Sequence, residues 1–202
     1  VSIPLRAPRR LVVASNNPGK LREFETLLRP LGIEVSAQAE LGVGEAAEPY
    51  GTFIENALTK ARHACRETGL AALADDSGLC VDALDGAPGV LSARYAGDAK
   101  SDLQNNQKLV TALRDVADRR AHYYCVLVLL RAADDPVPLI AEGRWDGEVI
   151  LEPRGGGGFG YDPHFFLPDA GCTAAELGAL QKNQLSHRAR ALRALLARLS
   201  AS

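Results

Sequence analysis

At 202 residues, 47% of them hydrophobic and 24% charged, the chain is long enough to bury a sizeable core as one domain, or one domain with two lobes. A formal net charge of −2 argues against a broad basic face for gripping nucleic acid, though not against a small cationic cluster for a single nucleotide. No run nears the ~20 apolar residues of a membrane span, the histidines show no H-E-x-x-H spacing for zinc, and four scattered cysteines with no C-x-x-C pair read as reduced thiols of a cytoplasmic protein.

Residues 1–9 read as a short N-terminal extension, basic but with no apolar run behind them to make a secretory leader. Arg10 to Ser15 (RLVVAS) predicts a strand buried on both faces. Asn17-Pro18 opens a helix with Leu21, Phe24, Leu27 and Leu28 at helical spacing, ended by Gly32, and Ile33 to Ala37 is a second strand. A Gly/Ala/Glu-rich loop fills 42–51. Thr52 then caps TFIENALTKARHACRETG, with Glu55 completing a capping box and Gly69 as the stop. Its apolar face is Phe53, Ala57, Ala61 and Ala64, while Asn56 and Lys60, four residues apart, point the same way.

Ala71 to Ala74 is a third buried strand leading into Asp75-Asp76-Ser77-Gly78. The stretch from Asp82 to Gly97 is loop-like around DGAPG, and Ser101 to Arg119 predicts a helix. His122 to Ala132 and Val137 to Arg144 read as long strands, with Asp146-Gly147 marking a turn before a further strand from Glu148 to Leu151. A glycine-rich loop spans Gly155 to Gly160. Thr173 to Glu176 (TAAE) reads as another capping box, and Ser186 caps a last Ala/Leu/Arg helix. The pattern is mixed α/β in a single domain over 1–202, with helices at both ends and paired strands between.

Four constellations carry chemistry. In SNNPGK, Ser15 to Lys20, a strand end, a polar turn and a helix start with a lysine make an anion site; a plain strand-to-helix turn is the alternative. It is not a Walker A loop, since Ala14 stands where a glycine is needed and no Ser or Thr follows Lys20. Asp75 and Asp76 stand at the carboxyl end of a buried strand, where α/β sheets bind ligands. Neighbours in sequence, they cannot both point the same way if the strand continues. One could bind Mg²⁺, which takes one or two carboxylates plus phosphates and waters, with Glu45 or Glu48 as a further ligand; an Asx-turn is the bland reading. The GGGGFG run lacks the strand and helix of a dinucleotide fingerprint, leaving a mobile loop at a ligand or an exposed hairpin. KNQLSHRAR, from Lys182, gathers basic groups at a helix start, or is a solvated terminus.

Together, SNNPGK, TFIENALTKA, ADDSG, GGFGYDP and K-x-x-x-SHR occur in an order and spacing that resemble the inosine/xanthosine triphosphate pyrophosphatase family, from Leu11 to about Leu196. The resemblance implies an elongated, two-lobed mixed-sheet α/β fold, a homodimer, and Mg²⁺-dependent hydrolysis of ITP, dITP or XTP to the monophosphate and pyrophosphate. It also implies residue roles. Ser15, Asn16, Asn17, Pro18, Gly19 and Lys20 would hold the triphosphate, and Lys60 would neutralise charge on it. Asp76 would be the general base and a metal ligand, supported by Asp75 and Glu48. Ser77 would touch substrate, Phe159, Gly160, Tyr161 and Asp162 would wall the base pocket with Phe159 stacking, and Lys182, His187 and Arg188 would complete recognition of the base.

Hypoxanthine and xanthine carry a C6 carbonyl where adenine carries an amino group. A site that donates to this position sets donor against donor when ATP enters, and rejection on such grounds can reach ~10⁴-fold. Two rivals stand beside this reading. Maf-like pyrophosphatases for modified pyrimidine or methylated guanine nucleotides carry an S-P-R-R-type turn that SNNPGK does not supply. A non-catalytic nucleotide sensor would not need the intact Asp75-Asp76 pair.

Overall fold

A computed structural model describes residues 8–200, so all but the last two residues of the expected extension at 1–9 lie outside the described residues. The chain opens with β1 (Arg10–Val13), α1 (Pro18–Leu28) and β2 (Glu34–Ala37), and β1 and β2 pair in parallel with Leu11 opposite Val35 and Val13 opposite Ala37. α2 (Phe53–Thr68) follows the loop at 42–51. Thr52 caps it as the capping box requires: its hydroxyl oxygen accepts from the Glu55 amide at 3.3 Å and its O–H donates to the Glu55 carboxylate at 2.5 Å.

β3 (Ala72–Val81) pairs in parallel with β1. α3 (Asp102–Leu113), β4 (Arg120–Leu130) and β5 (Leu139–Val149) come next, then β6 (Phe165–Leu167), β7 (Cys172–Thr173), α4 (Ala179–Leu185) and α5 (His187–Ser200). The strands form one mixed seven-stranded sheet in the order β2-β1-β3-β4-β5-β6-β7, with β5-β6 and β6-β7 antiparallel. No described helix is long and apolar enough to cross a membrane.

The chain divides into two compact units. The first holds the residues up to Asp76, Cys125–Gly143 and the residues from Arg188 onward; the second holds Ser77–Tyr124 and Arg144–His187. Each has its own apolar core. In the first, Phe24 and Leu28 of α1, Leu73 of β3, Leu127 of β4 and Leu192 of α5 come together; in the second, Leu79, Leu109, Leu113, Tyr123, Trp145 and Phe165 do. The four cysteines are free thiols.

Four expectations about elements need correction. β3 does not stop at Ala74 but runs through the aspartates to Val81. What looks like a turn signal at Ser77-Gly78 is a close approach: a Cβ on Gly78 would lie 2.2 Å from the Gly89 carbonyl oxygen and 2.5 Å from Ser92 Oγ. That Ser92 hydroxyl accepts from the Leu79 amide at 2.9 Å. Asp146-Gly147 likewise lies inside β5, where Gly147 leaves room for the Phe165 ring, 2.7 Å from where its Cβ would be. The helix expected to Arg119 ends at Leu113, because Arg119 donates to the Val116 and Val149 carbonyls and holds the following residues as a turn. TAAE closes a turn rather than starting a helix: the Thr173 amide donates to Glu176 Oε2 at 2.7 Å, but the Thr173 hydroxyl is turned away to the Arg154 carbonyl and α4 starts only at Ala179.

Candidate active site

The first unit gathers a buried charge cluster around the middle of β3. Because the strand continues, Asp75 and Asp76 leave it on opposite faces. Asp75 is fully buried and ion-paired with Lys20, and its Oδ2 accepts from Arg188 Nε at 3.0 Å and from Cys125 Sγ at 3.5 Å. Burial alone would raise its pKa, but Arg188, then Lys20 and Lys60, outweigh burial and hold it well below the usual carboxylate range. Arg188, itself fully buried, also ion-pairs with Glu23 of α1. Asp75 is therefore locked as an anion.

Asp76 has the opposite balance. Its Oδ1 accepts from Lys60 Nζ at 3.0 Å and its Oδ2 from Asn56 Nδ2 at 3.4 Å. Burial pushes its pKa up, Lys60 and Lys20 pull it back, and Glu48 adds to the rise, leaving it above the ordinary value. Lys60 also donates to Glu48 Oε1 at 2.6 Å; burial would lower its pKa, but Asp76, Glu48 and Asp75 together raise it, so it stays charged. Two carboxylates aimed at one positive point are a donor set that suits Mg²⁺. Of the two candidates in the 42–51 loop, Glu48 is the one that shares Lys60 with Asp76.

The SNNPGK turn is more occupied than its sequence suggests. Asn17 Oδ1 accepts from the Gly19 and Lys20 amides at 2.9 and 3.2 Å, capping α1 with Pro18 in its first turn. Ser15 Oγ accepts from the Asn17 amide at 3.2 Å, and Asn16 Oδ1 accepts from Gln38 Nε2 at 3.1 Å. An anion here meets a capped helix terminus and a lysine already paired with Asp75.

The second unit holds a different cluster, centred on buried Asp162. Its Oδ2 accepts from Lys182 Nζ at 2.6 Å and from the Phe159 amide at 2.8 Å, and its Oδ1 from the Tyr123 hydroxyl at 3.3 Å. Lys182 Nζ also sits 4.5 Å from the Phe159 ring centroid. His187 stacks on Tyr123 at 4.7 Å and 9°, and Tyr161 donates to the Ser92 carbonyl at 2.7 Å. The glycine loop is tied down at its end: the Gly160 amide donates to Asp102 Oδ2 at 2.8 Å, and its carbonyl accepts from Asn106 Nδ2 at 2.9 Å. Ser77 is half-buried on β3.

Phe159, Gly160, Tyr161, Asp162, Lys182 and His187 thus all lie in the second unit, and Lys182, Phe159 and Asp162 touch. Arg188, expected to act with them, belongs to the first unit, where its guanidinium pairs with Asp75 and Glu23.

A family model described as the Ham1 family matches residues 11–198 of this chain. The chain belongs to the Ham1 family. It is 66% identical over 199 residues to a dITP/XTP pyrophosphatase of Burkholderia pseudomallei, covering 97% of this chain and 96% of that one. To the protein of the same name from Ralstonia nicotianae it is 65% identical over 194 residues, covering 95% and 96%. Among solved structures, a HAM1 protein from Coxiella burnetii superposes with a TM-score of 0.88 at 49% identity, covering 96% of this chain and 99% of that chain.

Beyond the residues expected from sequence, this Ham1 family chain uses Glu23, Asn56, Tyr123 and Ser92. Asn56 alone left a trace, its four-residue spacing from Lys60. The others meet their partners across long sequence separations, 165 residues for Glu23 and Arg188, and no local pattern marks them.

Proposed function

We propose that this chain hydrolyses non-standard purine nucleoside triphosphates, dITP, ITP and XTP, to the monophosphate and pyrophosphate, with Asp76 as the general base. The observation that carries this reading is the divided environment of the two adjacent aspartates: Asp75 held ionised by Arg188 and Lys20, Asp76 raised by burial and facing Lys60 and Glu48. A carboxylate whose pKa is lifted toward the working pH is the one suited to accept a proton. The dITP/XTP pyrophosphatase name of the relatives supports the substrate class.

In this mechanism Asp76 takes a proton from the attacking water. The water oxygen bonds to phosphorus, the bond joining the nucleoside monophosphate to pyrophosphate breaks, and pyrophosphate leaves. Lys60 and Lys20 balance negative charge on the phosphate chain, and Asp75 keeps Lys20 and Arg188 in place. Ser15, Asn16, Asn17, Pro18 and Gly19 shape the phosphate-side turn. Asp76 and Glu48 are the residues that would hold Mg²⁺, which when bound neutralises charge across the phosphate chain. Among the described residues no three His, Cys, Asp or Glu side chains cluster as an all-protein metal cage, in keeping with a magnesium ion that keeps waters and takes substrate phosphates.

Recognition of the base falls to the second unit, which includes Ser77: Phe159 stacks, Gly160, Tyr161, Lys182 and His187 present the polar edge, and Asp162 holds Lys182 and the Phe159 amide in place. Arg188 acts through Asp75 instead. The family resemblance adds a homodimer, and the free thiols suit a cytoplasmic location.

A panel of nucleoside triphosphates assayed with Mg²⁺, scoring pyrophosphate against phosphate, tests the reading. Pyrophosphate released from dITP, ITP and XTP in strong preference to dATP and dGTP is expected. Turnover of none of them would favour a nucleotide sensor, and preference for dUTP or TTP a pyrimidine-directed enzyme.

A further inference from the structure

We propose that Asn56 is a positioning residue for the hydrolytic site, fixing the carboxylate of Asp76 and the loop that carries Glu48 with one buried amide; this rests on the function proposed above. Asn56 is 1% exposed, in the first turn of α2. Its Oδ1 accepts from the Tyr50 amide at 3.1 Å, and its Nδ2 donates to the Tyr50 carbonyl at 3.1 Å and to Asp76 Oδ2 at 3.4 Å. The side-chain amide thus binds both main-chain groups of Tyr50, as a neighbouring strand would, and still reaches the proposed base.

Two consequences follow for geometry. Asp76 Oδ1 is held by Lys60 and Oδ2 by Asn56, and these two residues are one turn apart on one face of α2. A single rigid helix therefore grips both oxygens and sets the plane of the carboxylate. Tyr50 stands two residues from Glu48 with Pro49 between them, and proline fixes its own backbone torsion. Pinning Tyr50 therefore limits where Glu48 can reach, on the same Lys60 Nζ that Asp76 faces.

Neither aspartate nor alanine can replace these contacts. Aspartate keeps an acceptor for the Tyr50 amide but offers no donor, so its second oxygen would face the Tyr50 carbonyl and the Asp76 carboxylate, both acceptors. Alanine removes every contact. The 3.4 Å separation from Asp76 is long, as hydrogen bonds to catalytic groups often are before substrate arrives.

The test compares Asn56→Asp and Asn56→Ala with the unmodified protein, measuring kcat and KM for pyrophosphate release from dITP and hydrogen exchange at the Tyr50 amide. Both variants are expected to lose about tenfold or more in kcat, the scale of one hydrogen bond to a charged group, with KM little changed. Tyr50 should stay protected in Asn56→Asp, which retains the acceptor, and exchange faster in Asn56→Ala. Wild-type kcat in Asn56→Asp overturns the inference, as does a kcat loss accompanied by faster exchange throughout α2 and β3, which would mark a role in folding only. If the unmodified protein releases no pyrophosphate from any purine triphosphate, the function reading fails and takes this inference with it. An active unmodified protein beside an unimpaired Asn56→Asp sinks the inference alone.

Discussion

Each unit buries a lysine on a carboxylate, Lys60 on Asp76 in the first and Lys182 on Asp162 in the second, yet the two pairs are built for different ends. Around Lys60 and Asp76 the neighbours are charged, Glu48, Lys20 and Asp75, with the Asn56 amide as the one neutral donor among those described. Around Lys182 and Asp162 they are a ring, a phenol and a main-chain amide. Burial, outweighing the pull of Lys60 and Lys20, leaves Asp76 with a pKa above the ordinary carboxylate value, which suits a group that accepts a proton. Asp162, by contrast, has both oxygens committed to fixed donors, which suits a carboxylate whose task is to hold a loop. The same pair of residue types makes a reactive site in one setting and a scaffold in the other.

The sharpest way to break this comparison is to neutralise each acid in turn. Asp76→Asn is expected to lower kcat for dITP by roughly 10²–10⁴-fold, the usual contribution of a general base, while binding of a non-hydrolysable dITP analogue largely survives. Turnover within a few-fold of the unmodified protein would remove Asp76 from the chemistry. Asp162→Ala should act on the fold instead. It strands the Lys182 ammonium in a buried setting, 9% exposed, and is expected to destabilise by roughly 3–5 kcal/mol in a urea titration. A loss under about 1 kcal/mol would mean that Lys182 reaches water readily and that Asp162 is no anchor.

A third buried acid sets the scale for a pair with no part in the chemistry. Asp135, between β4 and β5, accepts from the Arg131 guanidinium at 2.6 and 2.7 Å and from the Arg131 and Val137 amides. The Arg131 hydrogen bonds, helped by those amides against the opposing effect of burial, bring its pKa from 3.8 to about 2. A folded-state pKa below the unfolded one means the stabilisation is present above pH ~4 and lost as pH falls toward 2. Asp135→Asn is therefore expected to cost about 2 kcal/mol at pH 7 and almost nothing near pH 2, with kcat and KM unchanged. A loss of stability independent of pH would point to packing rather than charge.

The two units also differ in how much of them could be read from sequence. In the first, the site is assembled from local signals: a Pro-led helix start, a capping box at Thr52 and Glu55, and Lys60 one turn beyond Asn56. These fix their own geometry within a few residues, and the structure carries them as expected. What stayed hidden there was the partner of Arg188, since a basic residue at a helix start says nothing of a carboxylate 113 residues away. In the second unit the local signals misled. Ser77-Gly78 and Asp146-Gly147 resemble turns, yet each glycine lies within a strand where another segment comes too close for a side chain. Glycine is used both for turning and for close approach, and only the distant neighbour decides which. The run at Gly155 to Gly160 read as mobile for the same reason; its end is held by Asp102 and Asn106 of α3, which no local pattern announces.

That loop offers the finest test of the contrast, through two glycines of one run. Gly156 has open space where its Cβ would be, so Gly156→Ala should leave stability and turnover unchanged. Gly158 has φ +74° and its Cβ would fall 2.0 Å from Asp162 Oδ2. The carboxylate cannot swing aside without leaving Lys182, the Phe159 amide and the Tyr123 hydroxyl. Gly158→Ala is expected to cost about 1–2 kcal/mol from the left-handed backbone alone, and to raise KM for dITP several-fold as Phe159 is displaced, with kcat held within about twofold. Because Asp76 and Lys60 belong to the first unit and this loop to the second, a fall in kcat as large as that of Asp76→Asn would collapse the division between a reactive pair and a scaffolding pair. A rise in KM alone, absent in Gly156→Ala, would place the fixed Asp162 and its loop on the side of recognition.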